Sequence, residues 1–168
     1  LAMQTEEYKY LYENEESHFY TVSNHNLVIA FIKKYLPLKF KLKILDAGCG
    51  TGLLAKKLQR FGEVTAIDAN KNAVAFSKKR GINAKVASLN KLPFKNNSFD
   101  LITSIDVIYH KGVNDTAALK EMYRVLRKEG ILIIRVPANK WLLRGTDVRV
   151  DTRERYDLIE LKQKIAKV

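Results

Sequence analysis

Apolar residues recur at helical spacing over 27–36 (Leu27, Val28, Ile29, Phe31, Ile32, Leu36), and Pro37 stops the run because proline lacks the amide a further turn needs. Beyond it the pattern alternates between short apolar runs and helical stripes. Leu42 with Lys43–Asp46 reads as a first strand, followed by a glycine-rich loop and a helix carrying Leu53, Leu54, Leu58 and Phe61 that stops at Gly62. A second strand is predicted at Glu63–Ile67, then a helix capped by Asn70 (Ala73, Val74, Phe76) ending at Gly81, then a weaker strand at Ala84–Ala87. After a loop over 88–98 come a fourth strand, Phe99–Ser104, and the clearest helix, 114–128, with Ala118, Leu119, Met122, Val125 and Leu126 on one face and Gly130 as its stop. Ile131–Val136 is nearly continuous in its apolar character, as in a strand covered on both faces, and Pro137 closes it. A last helix is expected from Asp157, with Glu160 three residues on as a capping-box-like pair. Five strands separated by helices predict right-handed β-α-β units and an α/β fold with a doubly wound, mostly parallel sheet.

The chain has 168 residues, 46% hydrophobic and 29% charged, which fits one domain with a real core and excludes a disordered or fibrous chain. Its single cysteine, Cys49, excludes an internal disulfide and a cysteine-based zinc site, and no metal centre is expected. No apolar run reaches the roughly 18 residues of a membrane span, so a cytoplasmic protein is the expectation. Leu1 and Ala2 precede Met3 and read as a remnant ahead of the natural start. Net charge is +12, unevenly placed: residues 1–32 carry five acids and one base, residues 33–80 twelve bases and three acids. Such a surface attracts polyanions, but the lysines are spread over several helix faces and no nucleic-acid motif accompanies them, so a nucleic-acid partner is not favoured.

The chemistry concentrates in Ile44-Leu45-Asp46-Ala47-Gly48-Cys49-Gly50-Thr51-Gly52, which runs from strand to helix. Alternate glycines let the backbone turn sharply and a ligand approach the main chain, at the strand end where open α/β sheets bind ligands. A dinucleotide-binding loop places its third glycine where Leu53 stands, and Asp46 at the entrance is an unhelpful charge for a pyrophosphate. The same carboxylate suits a ligand with an ammonium group. Asp68 ends the second strand, where a carboxylate in this fold accepts hydrogen bonds from ribose hydroxyls. An amino-acid end at Asp46 and a nucleoside end at Asp68 are thus implied.

These residues resemble the class I S-adenosylmethionine-dependent methyltransferases of the small-molecule type. Leu45–Gly52 is similar to the family's first motif, and Asp68 to its ribose-binding acid. The resemblance continues through Leu92-Pro93-Phe94, Ser98–Ile102, Asp106–His110 and Leu119–Gly130, in order, over roughly residues 27–137. It implies a Rossmann-like fold, S-adenosyl-L-methionine as cofactor, and methyl transfer to a small or medium-sized acceptor, performed mainly by positioning. The cofactor-binding residues it implies are Asp46, Gly48, Cys49, Gly50, Gly52, Asp68, Ala69, Ser88, Leu89 and Asp106. Ser88 departs from the family, which usually has an acid there for the adenine amino group, and contact through the Leu89 backbone and a water is the substitute. The family's sheet has seven strands, so the last two are expected to be lacking here. Within one methyltransferase domain, residues 1–36 form a helical cap, 42–137 the cofactor-binding core and 138–168 an acceptor-side loop and helix.

His110 is the candidate catalytic base for a neutral acceptor, with fixing the local loop by hydrogen bonds as its other reading. The aromatic segment with His18, His25, Tyr8, Tyr10, Tyr12, Phe19 and Tyr20 folds over the cofactor by resemblance, or packs a helix onto the sheet. Cys49 is either a thiol activated by a helix terminus or a small residue the loop accepts. From Pro137 through Trp141 and Asp147 to Arg153-Glu154-Arg155-Tyr156, the tail resembles an acceptor-side region; its plain reading is a loop with solvated arginines and Trp141 capping the core. Two rival functions are a nicotinamide-dependent oxidoreductase, disfavoured by Leu53 and Asp46, and a non-catalytic cofactor-binding module.

Overall fold

A computed structural model describes residues 5–36, 41–142 and 152–168. Two helices, α1 (Thr5–Asn14) and α2 (Phe19–Tyr35), precede an alternating series: β1 (Leu42–Ala47), α3 (Leu53–Leu58), β2 (Gly62–Asp68), α4 (Lys71–Lys79), β3 (Asn83–Val86), β4 (Phe99–Ile105), α5 (Asp115–Val125) and β5 (Leu126–Arg135). A 3-10 turn at Lys140–Leu142 and α6 (Leu158–Ala166) follow. The five strands form one parallel sheet in the order β3-β2-β1-β4-β5, so the winding direction reverses between β1 and β4. The doubly wound α/β prediction holds, with five strands among the described residues.

Alternation along the strands divides the core in two. Ile44, Val64 and Leu101 join Val28, Ile29 and Ile32 of α2, Leu54 and Leu58 of α3, and Val74 of α4 on one face. Leu45, Ile67 and Ile102 meet Ala118, Leu119, Met122 and Val125 of α5 on the other. Both faces are therefore covered, which is why the strands read as apolar runs.

Several local expectations change. The 27–36 stripe belongs to a longer helix that starts at Phe19, and α1 carries too few core residues, with only Tyr8 buried, to show a periodic signal. Pro37 lies outside the described residues. Phe61 follows α3 rather than completing it, and Gly62 opens β2. The 114–128 helix ends at Val125, because Leu126 is extended and pairs with Phe99; the register then shifts, Glu129 takes a left-handed φ of 64°, and regular pairing resumes at Ile131. Asp157 precedes α6 as expected, but its side chain caps nothing; Glu160 pairs with Lys140 at 2.7 Å. Trp141 is 80% exposed and does not cap the core.

Candidate functional site

At the carboxyl ends of β1 and β4, where the winding reverses, a cavity of about 240 Å³ opens. Asp46, Gly48, Cys49, Gly50 and Thr51 line one side of it; Ile105 and Asp106 come from the end of β4 and the residue after it, Glu15 from the turn between α1 and α2, and Tyr20, Asn24 and His25 from α2. The glycine loop is shaped by the end of β2. The amides of Gly48 and Cys49 both donate to the Ile67 carbonyl, at 2.8 and 2.9 Å, and the Gly50 amide donates to Asp68 Oδ2 at 3.0 Å. Asp68 Oδ1 accepts the Asn70 amide at 2.8 Å. Gly50 has a φ of 53° and open space where a side chain would begin, so a ligand can reach its backbone.

Asp46 is buried, and its Oδ1 accepts from Thr103 Oγ1 at 2.8 Å. Oδ2 is buried without a hydrogen-bond partner among the described residues. Burial pushes its pKa up to about 7; the Thr103 bond and the nearby Ala55 backbone amide work against this, and the charge of Asp68 adds to it. Burial likewise raises Asp68, against the pull of the Asn70 and Gly50 amides. The Cys49 thiol is raised by burial and by both aspartates, which contradicts the activated-thiol reading; it is a small buried residue in contact with Ser77.

Asp106 sits at the cavity edge with a left-handed φ of 60° and pairs with Arg135, whose other nitrogen donates to the Tyr20 hydroxyl at 2.6 Å. The Arg135 guanidinium also lies 4.9 Å from the Tyr20 ring centroid. His110 Nε2 is 3.0 Å from the Asp106 carbonyl oxygen within the same turn, a contact that fixes the loop, and its ring lies tilted against Tyr109 with centroids 4.3 Å apart. Asp46, Gly48, Cys49, Gly50 and Asp106 thus converge on the cavity, whereas His110, Gly52, Asp68, Ala69, Ser88 and Leu89 are not among its lining residues. Ser88 is exposed and its Oγ accepts the Asn90 amide at 3.2 Å; the Leu89 side chain turns into the α5-side core.

The amino-terminal segment packs against α4 and also lines part of the cavity. Tyr12 packs on Phe76 with centroids 5.1 Å apart, Tyr8 is buried with its hydroxyl pKa raised by burial and by nearby Asp68, and Tyr20 and His25 border the cavity. His25 is buried, and burial with the charge of Lys57 lowers its pKa to about 4. Phe19, by contrast, is 77% exposed. Composition and spacing gave no sign of Glu15, Asn24 or Thr103, and Arg135 looked like the mere end of an apolar run; in sequence nothing separates them from surface residues. In the tail, Arg153 is not simply solvated: it donates to the Val113 carbonyl, Asp115 and the Tyr156 hydroxyl. Asp147 lies outside the described residues.

A parallel sheet with this reversal, a glycine loop and acids at two adjacent strand ends defines a class I methyltransferase fold. Residues 45–134 match the family described as "Methyltransferase domain", and the chain belongs to that family. It is 40% identical over 106 residues to the ubiquinone biosynthesis O-methyltransferase of Pelagibacter ubique, covering 58% of this chain and 42% of that protein. To the demethylmenaquinone methyltransferase of Staphylococcus aureus it is 33% identical over 111 residues, 61% of this chain and 46% of the relative. The chain thus spans less than half the length of these curated relatives. In structure it is similar to a S-adenosylmethionine-dependent methyltransferase of Thermotoga maritima, with a TM-score of 0.72, 24% identity, and 96% and 75% of the two chains covered. Among the described residues no helix is long and apolar enough to cross a membrane.

Proposed function

We propose that this chain binds S-adenosylmethionine in the cavity between β1 and β4 and serves transfer of its methyl group to a small or medium-sized acceptor. The observation that carries this reading is Asp46 Oδ2, buried beside the cavity with no hydrogen-bond partner among the described residues. An unpaired buried carboxylate oxygen calls for a cation or donor from outside the chain, and a ligand ammonium supplies one. The open side of Gly50 and the Asp68 carboxylate behind it fit the nucleoside end. When bound, the cofactor supplies an electrophilic methyl group on a positively charged sulfur.

The chain's own residues bind, orient and exclude water. Asp46 holds the amino-acid end, the loop backbone and Asp68 fix the ribose, and Ser88 with the Leu89 backbone borders the adenine. Gly48, Cys49 and Gly52 shape the loop, and Ala69, beside Asp68, leaves the ribose room. Residues 1–36 act as the cap and 138–168 as the acceptor side. Holding the reacting groups in line supplies roughly 7–11 kcal/mol of barrier lowering in well-oriented systems. His110 either takes a proton from a neutral acceptor or holds the Asp106 turn through its Nε2 contact. A quinone-precursor phenol or ring carbon is the acceptor class, by similarity to the named relatives. A cytoplasmic setting accompanies that reading.

Calorimetry with S-adenosylhomocysteine tests the proposal. Micromolar binding together with none of NADH is the expected result. Binding of NADH instead would restore the oxidoreductase, and binding without transfer to any phenolic or quinone acceptor would favour the non-catalytic module.

A further inference from the structure

The acidic head and basic body noted in the sequence meet at one side chain. Arg80, the residue after α4, is buried to 5% exposure of its side chain and spends its donors on two separate segments. Nε donates to the Thr51 carbonyl of the glycine loop at 3.1 Å, and one terminal nitrogen donates to the Tyr12 carbonyl at 2.9 Å and to Glu15 Oε1 at 2.7 Å. The other reaches Glu16 at 2.9 Å. The guanidinium lies 4.2 Å from the centroid of the Tyr12 ring. Glu15 also accepts from Thr51 Oγ1, so the same carboxylate touches both the loop and the arginine and borders the cavity.

We propose that Arg80 is a positioning residue that latches the α1–α2 segment over the glycine loop, so that cofactor affinity depends on a side chain that need not touch the cofactor. This rests on the cofactor reading above. The physical case is one of directed donors. A planar guanidinium can serve two carbonyls and two carboxylates at once and lie on an aromatic ring, whereas an ammonium at that position cannot keep this geometry. Without it, Glu15 keeps a raised pKa from burial and loses its cationic partner, and the Thr51 carbonyl loses a donor. The cavity wall made by Glu15 and the loop backbone made by Thr51 then lose their common anchor.

The full chain and its Arg80→Met, Arg80→Lys and Glu15→Gln/Glu16→Gln variants test this by S-adenosylhomocysteine calorimetry and limited chymotrypsin digestion. The latch predicts at least a tenfold rise in Kd for Arg80→Met and little rescue by Arg80→Lys. It also predicts faster cleavage within residues 8–20, while the fragment holding β1–β5 stays protected. The double glutamine variant, which keeps the arginine, is expected to move both readouts in the same direction by less. Affinity within twofold of wild type in Arg80→Met, or in the double variant should Arg80→Met not fold, would overturn the latch, as would full rescue by lysine. If the wild-type chain binds no S-adenosylhomocysteine, the cofactor reading falls, and the latch is still decided by the digestion pattern of the free chains.

Discussion

Thr103 donates to one oxygen of Asp46 at 2.8 Å, and the other, beside the cavity, has no hydrogen-bond partner among the described residues. Two strands therefore present a half-satisfied carboxylate at the switch point. Its pKa, pushed by burial from 3.8 to about 7, sets a pH signature. A carboxylate raised in the folded state contributes stability that is fully present below its ordinary value and is lost as pH rises through about 7. An incoming ammonium favours the ionised form, so ligand affinity runs the other way and strengthens with pH. We expect Kd for S-adenosylhomocysteine to fall about tenfold between pH 6 and 8 while the thermal midpoint of the free chain declines over the same interval. Asp46→Asn should bind weakly and without that slope. A flat calorimetric profile in the wild-type chain would remove Asp46 from the ammonium site.

Asp68 has a double task, because the carboxylate placed to hold a ribose already fixes the Gly50 and Asn70 amides. Hydrogen bonds to a charged group are worth about 1.5–3 kcal/mol, which is roughly ten- to a hundredfold in Kd. Asp68→Ala is expected to lose at least that much affinity and to lower the thermal midpoint as well, since it releases the loop. Asp68→Asn, which keeps an acceptor for one amide, should lose affinity with a smaller stability change. Equal affinity of Asp68→Ala and wild type in calorimetry would place the ribose elsewhere.

The sheet was legible because its strands are covered on both faces: runs such as Ile131–Val136 and Phe99–Ser104 carry the pattern whatever surrounds them. The glycine loop was legible for a related reason, since Asp46, Gly48, Gly50 and Gly52 act through local backbone and a fixed spacing. What escaped acts across the chain. Glu15, Arg80 and Arg135 owe their roles to partners 29 to 115 residues away, and the charge pattern along the sequence carries no such distances. The boundary at Val125 escaped because Leu126 fits the helical stripe of α5, yet the sheet claims it through Phe99.

Two glycines of the loop should respond differently to alanine. The three atoms nearest a Cβ on Gly48 all belong to the Val107 side chain, whereas one on Gly52 would meet the Ser77 side chain and also its Cα at 2.9 Å. Both positions have left-handed φ, 91° and 84°, so both alanines carry backbone strain, and overpacking adds about 1–3 kcal/mol. Val107→Ala should recover part of the stability lost in Gly48→Ala. No shortening of Ser77 should recover Gly52→Ala, because backbone remains in the way. Denaturant melts of the single and double variants check this, and equal rescue at both sites would contradict it.

Asp115, at the start of α5, anchors the carboxyl-terminal segment to the sheet's second face. Its Oδ2 accepts from the Tyr156 hydroxyl and Lys164 at 2.8 Å each and from Arg153 at 3.1 Å, while the Thr116 amide donates to Oδ1 at 2.6 Å. Burial favours the neutral acid, but the Lys164 and Tyr156 bonds outweigh it and bring the pKa down to about 2. A depressed carboxylate contributes stability that is present above its ordinary value of 3.8 and lost as pH falls through about 2. Asp115→Asn removes the carboxylate that Lys164 and Arg153 share, leaving Arg153 its pair with Glu154, and should cost about 1–3 kcal/mol. Tyr156→Phe keeps the packing of a ring only 1% exposed and removes one donor, so about 1 kcal/mol is expected. Because the three donors all lie in 152–168 and the acceptor in α5, the loss should appear as faster amide exchange in α6 with β1 and β4 unchanged. Uniform acceleration across the sheet would mean that the cluster supports the whole fold and not the docking of this segment.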